Sequence, residues 1–180
     1  MNRLVVAAAL ALAGCAGDTV DDRPLELDYL TQAVFAPTCG TTQCHSTFVQ
    51  AAGNVFDTPE GTRRSLLGNG LIRFDSTKYD PEDPRNADLI VWITETDPFG
   101  LGIGRMPYDA PMPNKDVLLL QDWIKEGAPG AQCNPKANNG AACTRDKNNR
   151  FLVAQCTEDF ELDLTNAITC SGGCIQGVCQ

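Results

Sequence analysis

Apolar side chains recur at helical spacing in three places along the chain. Tyr29, Leu30, Ala33 and Val34 predict a first helix over residues 28–35, stopped by Pro37. Leu89, Ile90, Trp92 and Ile93 predict a second, capped by Asn86 and ended before Pro98. Val117, Leu120, Gln121 and Ile124, with Trp123 beside them, predict a third that opens at Asn114 and stops at Gly127. Both tryptophans read as core packing. Between these helices, residues 74–86 and 98–114 are rich in turn formers, and loops of that length are uncommon in a compact domain unless something organises its centre. The expected fold is therefore mainly α.

The pattern changes at both ends. Arg3, an apolar run over residues 4–12 and then Ala13-Gly14-Cys15 read as a signal peptide, since the run is shorter than the roughly 18 apolar residues a bilayer span needs. Leu12-Ala13-Gly14-Cys15 resembles the lipobox of bacterial lipoproteins. That resemblance implies cleavage after residue 14, lipidation of Cys15 and anchoring by more than one acyl chain, which a stable membrane attachment requires. With Ala16 rather than aspartate after Cys15, the resemblance to Gram-negative sorting implies the outer membrane, facing the periplasm or the cell exterior. Residues 15–24 then form a polar, acidic tether.

Cysteine usage divides the rest. Between residues 25 and 130 there are two cysteines, whereas Cys133, Cys143, Cys156, Cys170, Cys174 and Cys179 crowd the last 48 residues. A boundary is expected near Gly127-Ala128-Pro129-Gly130, giving a helical unit over 25–130 and a disulfide-rich module over 131–180. The module has too few large apolar residues to be stable unaided, so three disulfides are its expected support, with 15 pairings open. Phe151-Leu152-Val153 predicts a strand, and Gly172-Gly173 and Gly177 predict tight turns. An exported chain meets an oxidising compartment, where thiols become bonded.

The charge balance excludes one class of partner. With 14 Lys+Arg against 23 Asp+Glu the net charge is −9, so no positive excess is available for nucleic acid. The acidity lies mainly in the first unit and suits a partner with a basic docking patch.

Cys39-Gly40-Thr41-Thr42-Gln43-Cys44-His45 contains the sole histidine of the chain. The motif resembles the haem-attachment site of c-type cytochromes, with four residues between the cysteines where two are usual. The resemblance implies that Cys39 and Cys44 add to the two haem vinyl groups and that His45 binds iron. Gly100-Leu101-Gly102-Ile103-Gly104-Arg105-Met106-Pro107 resembles the methionine loop of class I cytochromes c, and Trp123-Ile124-Lys125-Glu126-Gly127-Ala128 resembles the end of their last helix. Residues 25–128 thus resemble a short cytochrome c-like domain around a covalent haem, with Met106 as the sixth ligand and Met112-Pro113 as a rival. The resemblance also places Arg105 near a haem propionate and Phe99 and Tyr108 near the haem edge, roles that solvation and packing would explain equally. Closed His/Met coordination implies a one-electron carrier rather than an enzyme.

Two other readings remain. A Cys39–Cys44 disulfide with His45 on the surface would make the chain a haem-free, disulfide-stapled lipoprotein for binding or adhesion. A vacant sixth position would make it a haem peroxidase. Zinc lacks an obvious fourth ligand, and adjacent Cys44 and His45 side chains are poorly placed to act as a nucleophile and its base.

Overall fold

The computed structural model describes residues 21–74 and 83–180. The signal segment, Cys15 and the first part of the tether lie outside the described residues.

The chain opens on a helical run: α1 (Leu27–Leu30), a wider π turn (Thr31–Phe35) and α2 (Ala36–Thr38), followed by α3 (Pro59–Gly68), α4 (Asp88–Thr94) and α5 (Asn114–Lys125). The three periodic stretches are thus helical, with altered ends. The first continues past Phe35 and takes Pro37 into its final turn. In α4 the N-cap position belongs to Ala87, because Asn86 sits in a preceding 3₁₀ turn and donates its side-chain amide to Asp83. α5 begins at Asn114 itself, which moves the cap position one residue earlier to Pro113, and Gly127 follows its end with φ 87°, a conformation glycine adopts without steric cost.

α3 carries no apolar stripe long enough to be read from periodicity. Its start is nevertheless encoded, since Thr58 Oγ1 accepts from Gly61 N and Pro59 occupies the first turn. Its buried face is partly polar. Ser65 Oγ accepts from Val55 N at 2.7 Å and donates to Val55 O at 3.1 Å, so a hydroxyl replaces the apolar residue that would have revealed the helix.

The helices share one core, with Leu30, Val34 and Phe35 packing among Leu66, Ile90, Leu120, Trp123 and Ile124, all essentially inaccessible to solvent. Trp123 is fully buried and its indole N–H donates to Pro129 O, while Trp92 is half-buried against the Phe99 ring. The middle of the unit is therefore filled by its own side chains. Phe56, Ile72, Phe74 and Met112 join this core from outside the helices.

The tail is built from strands. β1 (Ala141–Arg145), β2 (Phe151–Cys156) and β3 (Leu162–Thr169) form an antiparallel sheet in that order, and β4 (Cys174–Ile175) pairs with β5 (Val178–Cys179) in a hairpin. A two-sheet module of this extent makes the molecule a mixture of short helices and antiparallel strands, which overturns the mainly α expectation. The cause is local. Val153, Thr144, Thr165, Thr169 and Ile168 are β-branched residues suited to extended backbone, and no 3.6-residue apolar stripe competes with them.

The six tail cysteines pair as Cys133–Cys156, Cys143–Cys174 and Cys170–Cys179. The first ties the entry segment to β2, the second ties β1 to the hairpin, and the third links the end of the sheet to the last strand. Arg63 on α3 holds the module to the helical unit, its guanidinium 3.4 Å from the centre of the Phe160 ring and its Nε donating to Gly130 O. At the other end of the chain, Arg23 in the expected tether donates to Asp116 Oδ1 and Lys115 O, so this segment is fastened to the start of α5.

Candidate functional site

The Cys-Gly-Thr-Thr-Gln-Cys-His segment leaves the end of α2 as a closed loop. Cys39 N and Gly40 N both donate to Phe35 O, Cys44 N donates to Thr41 O, and His45 N returns to Cys39 O. Gly40 is required by space: a Cβ there would stand 2.8 Å from the backbone of Phe56 and Asp57. Phe56 N donates to His45 O at 2.6 Å, and the Phe56 ring lies edge-on to the imidazole and stacked on Phe35. The histidine is thereby attached to the core through one aromatic ring.

The imidazole is oriented from its other side. His45 Nδ1 lies 2.8 Å from the carbonyl oxygen of Ala51. Gln50 and Ala52, the residues flanking that carbonyl, have φ of 51° and 53°, a left-handed backbone that costs non-glycine residues energy. A neutral ring that donates from Nδ1 presents Nε2 as its lone-pair nitrogen. Asp57 secures the same loop by accepting from Thr47 N and Thr47 Oγ1, and although burial acts to raise its pKa, these bonds hold it below the usual carboxylate value. The Ala51 carbonyl and Asp57 were not legible as site residues, since neither belongs to a motif.

The two thiols differ. Burial, with a smaller contribution from Cys44 nearby, pushes the Cys39 thiol up to about 12, whereas Cys44 is exposed. Both are free thiols.

Met106 sits on a separate loop, half-buried and outside the apolar core, with its N–H donating to Trp92 O on α4. Met112 is a buried core member instead. Around these two loops, apolar side chains face solvent: Phe48 and Val49 follow His45, and Phe99, Leu101, Ile103 and Tyr108 surround the methionine turn. Phe99 has φ 59°, so the methionine loop, like the histidine loop, carries backbone strain. The structure gathers Cys39, Cys44 and His45 into one loop. No hydrogen bond or ring contact joins that loop to Met106 among the described residues. Nor, among those residues, do three or more His, Cys, Asp or Glu side chains gather as a metal-ligand set.

The chain matches no protein-family model, no curated protein and no solved structure. Its chemistry is therefore argued from these residues alone.

Proposed function

We propose that this chain is an exported one-electron carrier, a c-type cytochrome that holds haem through Cys39 and Cys44 with His45 and Met106 as axial ligands. One observation carries the reading. Six of the eight cysteines among the described residues are oxidised in pairs, while the two that precede the sole histidine remain thiols.

Other features fit the group. Arg105, next to Met106, has a buried Nε with no hydrogen-bond partner among the described residues, a donor of the kind a propionate satisfies. The apolar side chains left in solvent on both loops are those a porphyrin face would cover. When bound, the haem supplies an iron centre that accepts and returns one electron, at a potential raised by Met/His ligation. The residues do the rest. Cys39 and Cys44 would hold the group as thioethers, each thiol giving up its sulfur and its proton to one vinyl group. The Ala51 carbonyl fixes the imidazole so that Nε2 would be free to bind iron, and Met106 would supply the other protein ligand.

The three disulfides fit an oxidising environment. In that setting the acidic surface meets a redox partner carrying a basic patch, and a lipid on Cys15 keeps the encounter at the membrane.

The test is expression of the full chain together with a haem-ligation system, followed by mass analysis of the peptide containing residues 39–45 under denaturing conditions. A porphyrin adduct on that peptide, with a low-spin ferric spectrum, is expected. A Cys39–Cys44 disulfide without adduct would overturn the proposal in favour of a haem-free binding module, and a high-spin spectrum would replace the carrier with a peroxidase-type site.

A further inference from the structure

A second site lies away from the cysteine-histidine loop, where α3 and the tail module meet. The two units border an open cleft of about 990 Å³, within the range of small-molecule sites. Its charge opposes that of the molecule. In a chain of net charge −9, Arg63, Arg64, Arg73 and Lys136 all line this cleft, and among the described residues Glu60 is the one carboxylate that lines it with them.

None of these cations is in an ion pair among the described residues, although Asp28 and Glu60 attract Arg63 from beyond salt-bridge distance. Arg64 and the Lys136 ammonium make no hydrogen bond or ion pair among the described residues, and the guanidinium of Arg73 reaches only the Gly70 carbonyl, at 3.3 Å. Three arginines elsewhere do pair with carboxylates: Arg23 with Asp21 and Asp116, Arg85 with Asp83, and Arg150 with Asp146. One of the four is also positioned in advance: Arg63 is pinned between the Phe160 ring and Gly130 O, whereas exposed Arg73 lies over Gly70. Phe160 has φ 64°, an uncommon backbone for an aromatic residue, and it aims the ring that carries Arg63 into the cleft wall. Guanidiniums already held in place lose little freedom when they bind an anion, and their planar forks suit phosphate and carboxylate oxygens.

We infer that the cleft between α3 and the tail module binds a small multivalent oxyanion, with Arg64, Arg73 and Lys136 supplying the charge and Arg63 forming the fixed wall. Phosphate and carboxylate groups share the chemistry these residues recognise. This inference does not depend on haem.

Calorimetric titration of the full, disulfide-intact chain with inorganic pyrophosphate and, in parallel, with citrate tests it. Saturable one-to-one binding of at least one anion is expected, weakening as salt is added. Preference for pyrophosphate would assign a phosphate ligand, and preference for citrate a carboxylate one. Arg64→Ala and Arg73→Ala should each weaken binding by about tenfold, the loss of one charge-assisted contact. Lys125→Ala, at the end of α5 and outside the cleft, should leave it unchanged. Both arginines are exposed, and the unfolding midpoint of each variant checks its fold. Absence of saturable binding, binding undiminished in both arginine variants, or an equal loss with Lys125→Ala would overturn the inference.

Discussion

His45 Nδ1 meets the Ala51 carbonyl at 2.8 Å, and the chain bends through two left-handed residues, Gln50 and Ala52, to place that carbonyl there. Positive φ costs an alanine roughly 1 kcal/mol relative to glycine. Ala52→Gly should therefore raise the unfolding free energy by about 1 kcal/mol, as measured by urea denaturation, and leave the His45 contact intact. Destabilisation by that replacement would show that the turn is not strained.

The two methionines should separate cleanly on mutation. Met106→Ala in the haem-loaded protein should lower the reduction potential and admit cyanide or imidazole to iron, because the core does not depend on Met106. Met112→Ala should leave the spectrum unchanged and cost about 3 kcal/mol of stability through the cavity it opens. Redox titration and denaturant melts of both variants read the two effects, and an exchange of phenotypes would reassign the ligand.

In the haem-free chain the thiols should react in order. Exposed Cys44 should be alkylated by iodoacetamide at mildly alkaline pH well before Cys39, whose thiol is held near 12 by burial. The folded state keeps a proton on Cys39 that the unfolded chain releases near its ordinary value, so the associated stability is present below about pH 9 and is lost as pH rises toward about 12. A thioether carries no such proton. Haem-loaded protein should lack this contribution to the alkaline dependence, which melts at a series of pH values would measure.

The tail disulfides close loops of different length, with sequence separations of 31 for Cys143–Cys174 and 9 for Cys170–Cys179. On chain entropy alone, removing the first by paired alanine substitution should cost about 4 kcal/mol and removing the second about 3 kcal/mol. Unfolding of the two double variants under non-reducing conditions tests that order.

The order of these effects follows from what can be read along the chain and what cannot. Three helices were legible because Leu30, Ile90 and Leu120 repeat with their neighbours at helical spacing, and the cysteine-histidine loop was legible because its residues are adjacent. The crowding of six cysteines after residue 132 likewise marked a disulfide module, since so few apolar side chains cannot hold such a segment. Tertiary structure alone decided the rest. It chose one cysteine pairing among 15, because proximity in a sheet is set by strand register rather than by spacing along the chain. It made α3 a core helix through the bonds of Ser65 to Val55, a long-range satisfaction of polar groups that leaves no apolar period. It also set four cations around one cleft by packing α3 against the module, although nothing in the sequence relates Arg64 to Lys136. Local periodicity and adjacency are properties of the chain, whereas pairing, burial of polar groups and convergence of charge are properties of its packing.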